Sequence, residues 1–192
     1  PLPSRRATFD IGVAGPIAGF IALVPVAIIG FLTLQQSVLP VQPVEGGQIV
    51  FSDPLFLHLL AFAFGINLEI PMSFPNPFFS AAWLGLLVTS LNLIPSGQLD
   101  GGHAIYAVFG ERIHRWTGRI AFVAMIVLSI SGLYFYNSPS GILFAVLLGV
   151  MLRIRHPEPL DDAPLDPPRK IVAFLTLLIF ILCFTPFPTQ IR

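Results

Sequence analysis

The stretch Asn92-Leu93-Ile94-Pro95-Ser96-Gly97-Gln98-Leu99-Asp100-Gly101 sets a lone carboxylate a few residues after a proline. Apolar segments flank it, Phe78 to Leu93 before and Ala104 to Phe109 after, each suited to lipid or to a buried helix. Pro95 removes an amide donor and its ring clashes one turn back, so a helix is expected to break there. Gly97, Gly101 and Gly102 add backbone freedom around the break. An ionised aspartate near the middle of a bilayer costs roughly 2.5–3.5 kcal/mol on insertion scales. It persists where it faces the protein interior and has a partner, which is a cation, a proton or a metal. Asp100 is therefore the first candidate for chemistry. The same residues also read as a helix-capping aspartate ahead of a new helix from His103, and taken alone they leave both readings open.

Composition places the chain among membrane proteins. Of 192 residues, 55% are hydrophobic and 10% charged, with a mean hydropathy of +0.83; a soluble domain carries about 25% charged residues. The net charge is zero and there is no basic tract, which argues against nucleic acid as a partner. Cys183 is the only cysteine and sits in an apolar run, so it reads as a packed or lipid-facing thiol. The chain opens on Pro1-Leu2-Pro3-Ser4-Arg5-Arg6 with no start methionine, and is expected to be a fragment lacking its N-terminal part.

A helix needs about 20 apolar residues to cross the hydrocarbon core. Phe9 to Leu34, Phe78 to Pro95, Trp116 to Tyr136 and the slightly short Ile171 to Phe187 meet that need. Gly141 to Leu152, joined through Asn137-Ser138-Pro139-Ser140, forms the return arm of a hairpin. Leu55 to Phe64 is too short to cross and reads as a re-entrant or interfacial helix, with Asp53 as its N-cap and Pro54 at its first position. The expectation is an all-α, polytopic bundle of about five spans plus that short helix, forming one membrane-embedded domain over residues 1–192.

Nine of the ten basic residues fall on one side of these spans, Arg192 being the exception; the loops Gln35 to Pro77 and Asn137 to Ser140 hold none. The positive-inside rule makes the basic side cytoplasmic. Asp100 is then expected at the cytoplasmic end of the embedded region. The loop from Gln35 to Asp53 carries Gly46-Gly47, and Arg155 to Pro168 is a proline-rich acidic connector. Asp10 is expected to pair with Arg5 or Arg6, and Glu69 to be solvated. Gly15 and Gly19, with Gly12 and Ala22 nearby, give the first span a small-residue face that lets another helix approach closely. Pro16 adds a local break beside it. His58, His103, His114 and His156 form no metal cluster in the sequence.

Asn92-x-x-Pro95-x-x-x-Leu99-Asp100-Gly101 resembles the second signature of the site-2 protease family of intramembrane zinc metalloproteases. Phe9-Asp10-x-Gly12-x-Ala14-Gly15-Pro16-x-Ala18-Gly19 is similar to the segment that follows the catalytic helix in that family. Pro164-Leu165-Asp166 before Arg169-Lys170 and a final span resembles its bacterial and chloroplast branch. The resemblance implies regulated intramembrane proteolysis of transmembrane protein substrates, in the bilayer of a bacterial plasma membrane and near its cytoplasmic side. It implies Zn2+ as cofactor, held by two histidines of a His-Glu-x-x-His helix and by Asp100, with the glutamate as general base. It also implies that Asn92, about two helical turns before Asp100, binds substrate backbone, that Pro95 and Gly97 shape the break that lets Asp100 reach the metal, and that Pro95, Leu99 and Gly101 are positioning residues of the motif.

His-Glu-x-x-His is absent between residues 1 and 192, so this chain alone is expected to be inactive, with the motif upstream. Two other classes compete: a catalytically inactive membrane scaffold, and an ion- or proton-coupled transporter using Asp100 on its broken helix. Zinc content separates the first reading from these, and ion flux separates the two from each other. Oligomeric state is not legible in the sequence.

Overall fold

The computed structural model describes residues 4–34, 49–68, 76–154 and 165–191. Gly46-Gly47, Glu69, His156, Arg192 and most of the proline-rich connector, including Arg155 and Pro164, lie outside the described residues.

Local signals set the helix ends. Ser4 caps α1 (Arg5–Leu32), its hydroxyl accepting from the Ala7 amide at 3.2 Å. The short strand β1 (Ile49–Phe51) comes next, and then α2 (Leu55–Phe64) ends at Gly65 in the left-handed region. Asn76 caps α3 (Pro77–Asn92), accepting from the amides of Phe78 and Phe79 at 3.0 Å each, with Pro77 opening the helix. α4 (Asp100–Phe109) and α5 (Glu111–Tyr136) meet at Gly110. Asn137, left-handed at φ 47°, turns the chain into α6 (Ser140–Met151). α7 (Pro167–Cys183) and β2 (Thr189–Ile191) complete the order.

The fold is mostly helical, with seven helices among the described residues. α1 and α5 are long and apolar enough to cross a membrane, whereas α2, α3 and α6 are apolar but shorter. The short helix expected over Leu55 to Phe64 has those same bounds, but its cap differs: Pro54 is the N-cap and Asp53 makes no capping bond. The proline's ring fixes the entry backbone, and its carbonyl accepts from the Leu57 and His58 amides at 3.0 and 3.2 Å. Nor does Pro16 break α1, which runs through both Pro16 and Pro25. Prolines are tolerated in such helices where neighbouring groups take up the freed carbonyl.

The expected second span, Phe78 to Pro95, proves to be half of a longer feature. α3 and α4 lie end to end, antiparallel to α1. Gly30 abuts Phe79, Gly19 faces Thr89, Gly15 faces Asp100 and Gly12 faces His103. Arg5 closes the series, donating from Nε to the Ala107 carbonyl at 2.7 Å and from a terminal nitrogen to Val108 at 3.3 Å. Those carbonyls end α4 and lack helical donors, which is why Arg5 is taken there and not to Asp10. Asp10 instead pairs with Arg169, at 2.8 and 2.6 Å, and Arg169 also holds Asp166 at 2.9 and 3.0 Å. The segments Phe9-Asp10 and Leu165-Asp166 are thereby clamped together at the foot of α1 and α7.

One buried cluster joins Ala27, Phe31, Leu57, Phe79, Leu86 and Cys183 across α1, α2, α3 and α7. Cys183 is thus a packed thiol. A second joins Ile94 to Met125, Phe144 and Leu148, seating the broken helix on the α5–α6 hairpin. Outside the all-α expectation, β1 pairs antiparallel with β2, Val50 opposite Gln190. Three residues per strand, separated by most of the chain, leave no alternation long enough to read. The ribbon and Asn137 share one end of the molecule, where the Ile191 amide donates to the Asn137 carbonyl at 3.1 Å.

Candidate functional site at the helix break

α3 stops where Pro95 requires it. The Leu93 amide still donates to Thr89 at 3.1 Å, after which residues 93–99 form a tight turn closed by Ser96 to Ile94 at 2.7 Å and Leu99 to Ser96 at 3.2 Å. Gly97 adopts φ +55° against α6, where a Cβ would lie 2.8 Å from the Met151 carbonyl oxygen. A Cβ at Gly101 would overlap the Leu93 carbonyl oxygen, and one at Gly102 the Gly97 carbonyl oxygen. The first turn of α4 therefore rests directly on the turn that precedes it. Gly101 and Gly102 were both singled out in the sequence; which carbonyl each must clear was not legible, that of Gly102 lying five residues back.

Leu99 is the extended N-cap and Asp100 the first residue of α4, three residues earlier than the helix start expected at His103. Its side chain makes no capping bond, so the capping reading fails. A carboxylate in the first turn is still favoured by the helix dipole. Asp100 is half-buried, and its Oδ2 lies 3.8 Å from the point where a Cβ on Gly15 would stand. The bare backbone of α1 thus leaves the carboxylate clear on that side. Gly12 is much tighter, with a Cβ falling 2.7 Å from His103 Cβ and 3.1 Å from the Asp100 carbonyl oxygen. Ala14, Gly15 and Ala18 are exposed, so the flank of α1 beside Asp100 is open. No ion pair among the described residues involves Asp100.

Gly15 lies about 9 Å along α1 from Phe9 at 1.5 Å per residue. Asp100 therefore stands beside the interior of α1 and not its first turn, and α4 carries the chain on to Arg5. Asn92 is the exposed last residue of α3. The turn after it removes the two-helical-turn relation to Asp100. Pro95 and Leu99 are half-buried and Pro16 is buried. Gly19, on the same face as Gly15, packs on Thr89 at 3.9 Å.

A catalytic zinc takes three protein ligands and one open position. Among the described residues no group of three His, Cys, Asp or Glu side chains is placed to hold a metal. Asp100 fits one corner of such a site, being half-buried, unpaired among these residues and cleared by Gly15. Away from it, burial pushes the Asp53 carboxyl up to about 6, opposed by the charge of His58.

Residues 1–133 match the profile of Peptidase family M50. The chain is 29% identical over 201 residues to "Probable zinc metalloprotease EGY2, chloroplastic" of Oryza sativa subsp. indica, covering 96% of this chain and 33% of that protein. To "Probable zinc metalloprotease EGY1, chloroplastic" of Arabidopsis thaliana it is 26% identical over 188 residues, with the same coverage of 96% and 33%. To "Probable zinc metalloprotease EGY3, chloroplastic" of Oryza sativa subsp. japonica it is 32% identical over 125 residues, 57% of this chain and 21% of that one. The chain spans about a third of the length of the first two relatives. No solved structure matches it.

Proposed function

Because the chain belongs to peptidase family M50, the site-2 protease family, we propose that it is part of an intramembrane zinc metalloendopeptidase in which Asp100 is a zinc ligand. The observation that carries this reading is the meeting of two distant motifs. The carboxylate of Leu99-Asp100-Gly101 stands beside Gly15, inside a span interrupted at Pro95. Two histidines and a glutamate base are to come from a His-Glu-x-x-His segment in sequence beyond residues 1–192, in keeping with relatives about three times as long. Bound zinc would supply a Lewis acid and a water of pKa ~7.

The chain's own residues prepare that site. Gly97, Gly101 and Gly102 hold the turn, and Gly15 clears the carboxylate. Asn92, exposed at the end of α3, is available to hydrogen-bond a substrate backbone. A substrate peptide bond must leave its helix before attack, and exposed Asn92 stands beside the break where that would occur. We assign five crossings to α1, α3 with α4, α5, α6 and α7, with the basic end cytoplasmic. The relatives are chloroplast proteins, so none of them carries the bacterial plasma-membrane location expected from the sequence. Residues 1–192 alone should not cleave peptides.

Asp100→Ala in the full-length protein tests this reading. Loss of cleavage of a transmembrane reporter, with membrane insertion intact, is the expected outcome. Retained cleavage would remove Asp100 from the zinc site.

A further inference from the structure

Helices α5 and α6 form an antiparallel hairpin drawn together by two glycines. A Cβ at Gly141 would lie 2.8 Å from Ser129 Cα, and one at Gly149 would lie 3.1 Å from the Phe122 ring. The outer side of this hairpin carries a groove of about 570 Å³, lined by Phe122, Ile126, Ile130, Ala145, Val146 and, at one end, Arg153. That volume falls in the range of ~300–1,000 Å³ usual for small-molecule sites. Ser129 also lines it, but its hydroxyl donates to the Met125 carbonyl at 2.7 Å, so the wall presents no unsatisfied polar group there. From Phe122 to Leu133 the groove follows α5 for about 16 Å at 1.5 Å per residue, which suits an extended acyl chain.

The two ends of the groove differ in charge. Arg153 is exposed just past α6, at the end where α5 carries Arg112, Arg115 and Arg119. Arg115 is engaged by Glu111 at 3.4 Å and Arg119 lies over Trp116. The far end, Asn137 to Ser140, has no basic residue. Basic groups between membrane helices at the cytoplasmic surface bind anionic headgroups, and a guanidinium can grip a phosphate with two hydrogen bonds.

We propose that this groove binds an anionic phospholipid, one acyl chain lying between α5 and α6 and the phosphate on Arg153. The inference rests on α5 crossing the membrane and is independent of the zinc site. It is tested on the full-length protein by native mass spectrometry with phosphatidylglycerol and phosphatidylcholine, together with a phosphatidylglycerol bearing a photoreactive acyl chain. Phosphatidylglycerol should be preferred about fivefold, a ratio worth about 1 kcal/mol, and the photolabel should map to α5 and α6. Arg153→Gln should erase the preference and Arg153→Lys keep it, while Ala145→Phe, which fills the groove, should weaken both lipids. Arg153 is on the surface, so its variants carry the test if Ala145→Phe perturbs the hairpin. An unchanged preference in Arg153→Gln, a photolabel on other helices, or cross-linking of this face to a second copy of the chain would overturn the proposal. So would displacement of the lipid by inorganic phosphate alone, which would leave the groove without a role.

Discussion

Gly12 and Gly15 sit three residues apart on α1 and face the same turn of α4, yet their clearances differ by more than 1 Å. Gly12→Ala should destabilise the protein by about 1–3 kcal/mol, the usual cost of overpacking, because backbone and Cβ atoms are what it meets. Gly15→Ala makes only ordinary contact and should stay within ~0.5 kcal/mol of the parent. Thermal unfolding of the two variants in one detergent checks the pair, and equal losses would contradict the helix register. At this scale the motifs themselves were legible: Asp100, Pro95, Gly101 and the small-residue face of α1 were all candidates from the sequence. Which glycine faces which atom was not, since that depends on the register between segments almost ninety residues apart. For the same reason Asp10 was assigned to nearby Arg5 or Arg6, whereas its partner Arg169 is distant in sequence and close in space.

Between elements, the clamp of Asp10 and Asp166 on Arg169 ties α7 to α1, and it has a pH signature. The hydrogen bond from Arg169 holds the Asp166 carboxyl below the usual carboxylate range. A group whose folded pKa lies below its unfolded value of about 3.9 adds stability above that value and loses it as pH falls through the folded one. Protection of the α7 amides next to the clamp, measured against intrinsic exchange at each pH, should therefore be high near neutral pH and fall below about pH 4. Arg169→Gln should remove that dependence, and an unchanged profile would sink the clamp. Asp53 has the opposite sign. With its folded pKa raised to about 6, burial favours the neutral acid, so stability is fullest below about pH 4. It declines as pH rises towards about 6 and then levels off. Asp53→Asn should flatten the melting temperature across that window; the same slope in the variant would contradict the burial of the carboxyl. The short helix over Leu55–Phe64 and the hairpin connection at Asn137 to Ser140 were readable in advance. The β1–β2 ribbon was not, because its pairing is long-range and each strand is only three residues long.

For the molecule as a whole, composition and apolar runs were enough to give a helical membrane protein, and the order of helices followed from them. Which part of α1 stands beside Asp100 was not available from the sequence. A proline marks where a span breaks, but only the pairing of α3 and α4 with α1 tells how far from the basic end the break lies. That placement sets the carboxylate beside Gly15, about 9 Å along α1 from Phe9, and a charge inside a span is retained only with a partner. The central claim is that this partner is zinc. It is tested most directly by the zinc bound per chain in purified full-length protein and its Asp100→Ala variant, after dialysis against a weak chelator. About one zinc per chain in the parent and a loss of most of it in the variant are predicted, as expected when a catalytic site drops from three protein ligands to two. Equal zinc in both proteins would contradict the account.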